Sequence, residues 1–300
     1  MALFLAVVFS GCASQSALGT QARVPRQVLA AETFLADITE NIAGDRVKVT
    51  ALLPTGVDPH SFEPSPGDIA RVAESDLIIV NGAGFEESLE ELIKSAAGKG
   101  QIIVASEGLV SREARQGETP GEHGNEDPHF WLDPNNVVKY VENIRDRLSA
   151  ADPEGAATYS ANAEAYIAQL RELDTWIAEQ VKQVPPEQRQ LVTNHESFGY
   201  FADRYGFRLV GTVLPGASTG AVPSAQQMAQ LVDRIRATGT RAIFLETGSS
   251  DQLARQVARE AGVKVVTQLF THSVTEASGP APSYIEMMRY NTRAIVEALR

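Results

Sequence analysis

The sequence predicts an α/β protein of two lobes, each a parallel sheet with helical crossovers, joined by one long rigid helix. Three observations carry that expectation. Short β-branched runs alternate with longer amphipathic runs, the theme recurs in the second half, and a single helical stripe separates the halves.

The strand candidates of the first half are Gln27–Ala31, Val47–Leu53, Leu77–Asn81 and Gln101–Ala105. Those of the second half are Gln190–Thr193, Arg208–Val213, Ala242–Glu246 and Val263–Gln268. Helical stretches separate them, among them Phe85–Ala97, Pro134–Ala150, Ser224–Ala237 and Ser249–Ala261. Across Pro153–Val184, the apolar residues Tyr159, Ala163, Tyr166, Leu170, Leu173, Ile177 and Val181 recur at the spacing of one helical face. Pro153 suits the first turn of that helix and Pro185-Pro186 stops it. The stripe lacks sustained leucines, so a strut lying across both halves is expected rather than a coiled-coil arm, and a strut limits hinge motion. The expected division is a first lobe over 27–152, the helix over 153–184 and a second lobe over 185–300. Ser111–Asp127, rich in Glu and Gly, is the one long loop signal.

Composition narrows the function. The 300 residues are 43% hydrophobic and 21% charged, which excludes disorder as the main state and leaves room for two domains of about 150 residues. A formal charge of −12, from 38 acidic and 26 basic residues, repels nucleic acid and anionic membrane and attracts cations. One cysteine and five histidines exclude a disulfide scaffold, an iron–sulfur protein and a cysteine zinc ribbon. Any metal here must be held by His, Asp or Glu.

The cysteine is Cys12. It follows the apolar stretch Met1–Phe9 and the small pair Ser10-Gly11, and a polar linker comes after it. Nine residues are too few to span a bilayer, which needs about 20, but they match the apolar region of a signal peptide. Small residues directly before a cysteine resemble the lipobox of bacterial lipoproteins, although Phe9 stands where leucine is usual. The expectation is a signal peptide over 1–11, lipidation at Cys12 and an anchored linker over 12–26. The competing reading is a buried N-terminal strand carrying an inert thiol.

Four of the histidines share a placement. His60 lies in a Pro-punctuated turn after the second strand, His195 directly follows the strand Gln190–Thr193, and His272 follows Val263–Gln268 at a short remove. His129 opens a helix whose N-cap is Asp133 and whose first residue is Pro134. Parallel α/β sheets bind ligands outside the carboxyl ends of their strands, so two facing lobes would bring two histidines each to one crevice. A lone histidine in a turn is usually just a hydrogen-bonded residue. Two Asp-Pro-His tripeptides, Asp58-Pro59-His60 and Asp127-Pro128-His129, are harder to ascribe to turn chemistry, because proline fixes the backbone as a preorganised ligand requires. His123, in the acidic loop, reads as solvated.

At these residues the chain resembles the substrate-binding lipoproteins of bacterial zinc and manganese ABC transporters. The blocks that carry the resemblance are His60 through Pro66, Asp127 through Pro134, His195 through Phe201, Phe244-Leu245-Glu246 and Tyr284 through Asn291. The resemblance implies two lobes on a rigid helix with one metal buried between them, held by His60, His129 and His195. The family's fourth ligand is usually an aspartate in a Phe-Thr-Asp-Ser-like segment, and here Phe270-Thr271-His272-Ser273 stands in its place. His272, Glu246 or a water then completes the set. Manganese-type members carry glutamate at the third position, where this chain has His195, so imidazole in place of carboxylate favours Zn²⁺ over Mn²⁺. An all-histidine site should load poorly below about pH 6.5, where unperturbed imidazoles protonate. Asp58, Glu63, Asp127 and Glu196 are candidates to orient the imidazoles from behind.

The expected role is an extracytoplasmic, lipid-anchored zinc receptor, a monomer without a catalytic residue, that hands its ion to a membrane permease. The alternatives are a Mn²⁺ or Fe²⁺ receptor of the same type, and a zinc hydrolase with an open water position. An adhesin would share the anchored architecture.

Overall fold

A computed structural model describes residue 25 and residues 27–96, 101–112, 127–216, 219–220, 222–248 and 250–300. Cys12, His123 and the expected signal peptide lie outside the described residues, as does nearly all of the expected linker.

The first lobe is a parallel sheet of β1 (Val28–Ala30), β2 (Val49–Ala51), β3 (Leu77–Val80) and β4 (Gln101–Val104), in the order β2-β1-β3-β4. The second repeats this topology with β5 (Gln190–Thr193), β6 (Arg208–Thr212), β7 (Ala242–Glu246) and β8 (Lys264–Leu269), in the order β6-β5-β7-β8. The central strands β1, β3 and β7 are buried at every position, which is why they read as continuous apolar runs rather than alternating ones. In each sheet the order reverses beside the first strand, where parallel α/β sheets open a crevice at the carboxyl ends of their strands.

Among the described residues nine α-helices complete the fold. The first lobe holds α1 (Thr33–Ala43), α2 (Pro66–Glu74), α3 (Glu90–Ala96) and α4 (Pro134–Ala151). Ser65 and Asp68 form a reciprocal capping box at α2, and Asp133 caps α4 through the Asn135 N–H with Pro134 as its first residue. The helix expected over Phe85–Ala97 is shorter, with a 3-10 turn at Glu87–Leu89 before α3. Its start is held out of helix by the Gly82-Ala83-Gly84 turn, all at positive φ, and by the Glu86 carboxylate, which accepts the N–H groups of Asn81 and Gly82.

The strut is a 3-10 turn at Pro153–Gly155 followed by α5 (Ala156–Val181), with its seven apolar stripe residues buried. It packs on α1 and α4 of the first lobe, and on α6 (Gly199–Tyr205) and α9 (Tyr284–Leu299) of the second. Helices α7 (Ala225–Thr238) and α8 (Gln252–Ala261) cover the outer face of the second sheet. The largest core therefore runs through both lobes, from Phe34, Trp131 and Tyr140 to Phe201, Tyr284 and Leu299. Burial of such side chains contributes about 1.5–3 kcal/mol each, so the lobes share one stabilising unit on the strut side. Among the described residues no helix is long and apolar enough to cross a membrane.

Candidate metal centre

Each histidine is set by its own local device. The Asp58 carboxylate accepts the His60 N–H at 3.0 Å and opens a 3-10 turn over Pro59–Ser61. Asp127 accepts the His129 N–H at 3.0 Å in the same way. The two Asp-Pro-His tripeptides are thus the same construction, an aspartate folding back on the histidine two residues ahead while proline holds φ. His195 leaves the end of β5 with its carbonyl accepting the Thr193 hydroxyl at 2.7 Å. His272 depends on an irregularity. The pairing of β7 with β8 slips by one residue between Phe244 and Glu246, and Gln268 takes φ 73°, a strained value for a residue other than glycine. That bulge directly precedes the Phe270–Ser273 segment, and bulges bend the strand that carries them. The Trp131 indole N–H then fixes it by donating to the Thr271 carbonyl at 2.7 Å.

These four connections bring His60, His129, His195 and His272 together, with one ring nitrogen from each lying within 4.8 Å of all the others. The Nε2 atoms of His129 and His195 face each other at 3.2 Å. A tetrahedral ion with metal–nitrogen bonds of about 2.0–2.1 Å sets its nitrogens about 3.3–3.4 Å apart, so this pair already has the required spacing. His129 and His195 are fully buried, His272 is nearly so, and His60 is half-buried. Phe85 and Trp131 wall the cluster, with Phe85 edge-on to His60 at 5.1 Å between ring centres.

Carboxylates stand behind two of the rings. Asp127 Oδ1 lies 2.9 Å from His129 Nδ1, and Glu246 Oε1 lies 2.9 Å from His195 Nδ1. Asp127 holds the proton on Nδ1 of His129 by a hydrogen bond, Glu246 faces Nδ1 of His195 as a charge partner, and the two Nε2 atoms turn inward. Glu246 is itself held by the hydroxyls of Ser197, at 3.0 Å, and Thr271. Its other oxygen is 3.7 Å from His272 Nε2. Glu246 thus lies against the Nδ1 side of His195 with its second oxygen towards His272. Of the other carboxylates singled out, Asp58 holds the His60 backbone, Glu63 is exposed and Glu196 is half-buried.

Electrostatics divide the rings. Burial lowers His129 against the opposing pull of Asp127, and burial, reinforced by His195 and His129, drives His272 down to about 3. Burial also works against charge on His195, but Glu246, Asp58 and Asp127 outweigh it and raise that imidazole. Glu246 resists burial in turn and is held low by His195 and His272. Burial thus favours the neutral ring at His129 and His272, and the ionic partner of Glu246 is His195. Sequence reasoning did not single out Phe85, Trp131, Ser197 or Thr271 as parts of the site. Their only local signals were the Gly82-Ala83-Gly84 turn and the aromatic pair inside the Asp127–Pro134 block.

Two parallel-sheet lobes closing on a buried imidazole cluster define a metal-binding receptor of the two-lobed kind. The family profile described as zinc-uptake complex component A, periplasmic, matches residues 28–298. The chain is 34% identical over 297 residues to the manganese-binding lipoprotein MntA of Halalkalibacterium halodurans, covering 99% of this chain and 96% of that one. It is 33% identical over 300 residues to the iron-binding protein YfeA of Yersinia pestis, covering 99% and 94%. Among solved structures it is similar to the periplasmic zinc binding protein TroA from Treponema pallidum, with a TM-score of 0.84, 29% identity, and 91% and 99% of the two chains covered. The chain belongs to this family, the extracytoplasmic, membrane-anchored substrate-binding lipoproteins of metal ABC transporters. Its members are receptors that work with a membrane permease and ATPase, and they are not enzymes, which sets the hydrolase reading aside.

Proposed function

We propose that this protein is a zinc receptor, binding Zn²⁺ through His60, His129, His195 and His272 and delivering it to the permease. The observation that carries the reading is the converging set, four imidazoles from four connections with no carboxylate grouped with them among the described residues. Imidazole suits zinc, whereas Mn²⁺ prefers carboxylate, carbonyl and water oxygen and stands lowest in the Irving–Williams order. The relatives named for manganese and iron make those ions the competitors to test. Cys12 is the tether in this reading, a role that rests on its sequence motif alone.

Competition binding tests the choice of metal. Zinc should bind one per chain, Mn²⁺ should fail to displace it at comparable concentration, and His272→Ala should weaken zinc by at least about tenfold. Displacement by equimolar Mn²⁺ would overturn the zinc assignment. Unchanged affinity and stoichiometry in His272→Ala would remove that residue from the set.

A further inference from the structure

The two sides of the histidine cluster are tied across the lobes by different kinds of contact. On the strut side the ties are buried. The Trp131 indole donates to the Thr271 carbonyl at 2.7 Å, and the Tyr284 hydroxyl donates to the Trp131 carbonyl at 2.6 Å, both within the shared core. On the His60 side the ties among the described residues include two part-buried hydrogen bonds between turns. The Gly56 N–H donates to Ser273 Oγ at 3.0 Å, and the Thr219 hydroxyl donates to Asp58 Oδ2 at 2.5 Å.

Asp58 has two attachments. Its Oδ1 accepts the His60 N–H at 3.0 Å while its Oδ2 accepts Thr219, so one carboxylate couples the turn that carries His60 to the opposite lobe. The backbones meet at the same place. A Cβ on Gly248, which has φ 85°, would sit 2.6 Å from the Gly56 carbonyl oxygen, so only glycine allows the two turns to close. Separating the lobes on the strut side would expose the aromatic core. Separating these turns breaks part-buried hydrogen bonds such as these and uncovers His60, the most exposed of the four residues.

We infer that the Asp58–Thr219 bond, with Gly56–Ser273 beside it, is a latch that sets how fast the bound cation leaves past His60. Asp58 and Thr219 are positioning residues, since neither lies among the converging nitrogens. The inference rests on the four-histidine reading. Release requires the His60 turn to swing outward, and both bonds must break before it can. Net hydrogen bonds of this kind change rates by about 3- to 10-fold when one partner is removed.

The test is stopped-flow release of zinc from the loaded full chain into excess chelator. Thr219→Val and Ser273→Ala should each release zinc about 3- to 10-fold faster, with one zinc still bound per chain and melting temperatures near wild type. Gly248→Ala, which wedges the turns apart, should also be faster. Wild-type release rates in Thr219→Val and Ser273→Ala, in protein whose single zinc is lost in His195→Ala, would overturn the latch and leave the metal site standing. Failure of the wild type to take up zinc, or uptake that persists in His195→Ala, would overturn the four-histidine reading instead. A general loss of stability would show as a lowered melting temperature with unchanged release, which also counts against the latch.

Discussion

Trp131 gives the sharpest test of how the core holds the site. Its side chain is fully buried, stacks on Phe34 at 4.6 Å between ring centres and donates to the Thr271 carbonyl at 2.7 Å, one residue before His272. Trp131→Phe keeps an aromatic ring but removes that donor. The Thr271 carbonyl would be left buried without it, at a cost of about 1–3 kcal/mol, and the smaller ring leaves a void costing about 1 kcal/mol more. The expected loss is about 2–4 kcal/mol in urea unfolding of the metal-free protein. The same change frees the segment that aims His272, so zinc affinity should fall by about tenfold, as for other partners that orient ligands from behind. Unfolding at the wild-type midpoint would refute the energetic argument. Destabilisation with unchanged zinc affinity would refute the claim that Trp131 positions His272.

Other perturbations separate stability from binding. Asp37 on α1 accepts the Tyr284 N–H of α9 at 2.8 Å, and burial raises its carboxyl from 3.8 to about 6. A raised carboxyl binds its proton more tightly when folded, so its stabilising effect is full below about pH 4 and is lost as pH rises through 6. That loss amounts to about 3 kcal/mol. Asp37→Asn should therefore match wild type near pH 4 and exceed it by up to about that amount above pH 7, measured by denaturant titration at each pH; a constant difference across the range would count against the assignment. Asp127→Ala removes the acceptor at His129 Nδ1. Isothermal titration should show zinc affinity reduced by about 10- to 100-fold, and retention of wild-type affinity would deny Asp127 an orienting role.

What could be read along the chain was whatever depends on near neighbours. The central strands announced themselves because burial on both faces leaves continuous runs such as Leu77–Val80 and Ala242–Glu246. The strut showed through its helical stripe, and the start of α4 through Asp133 and Pro134. The Asp-Pro-His turns were visible for the same reason, since the carboxylate that shapes each turn lies two residues from its histidine. Four histidines could be nominated because each follows a strand or opens a helix, and parallel sheets put such positions at one edge.

Tertiary structure decided the rest. Glu246 comes to stand against His195 Nδ1 where the β7–β8 pairing slips by a residue and two hydroxyls, from Ser197 and Thr271, hold its carboxylate. The setting of His272 depends on the same bulge and on Trp131, which holds the Thr271 carbonyl from 140 residues away along the chain. The closure beside His60 depends on Gly56, Asp58, Thr219 and Gly248 meeting across the lobes. None of these has a periodicity or a local signature. Each exists only once helical packing along α5 has brought two separately patterned halves face to face.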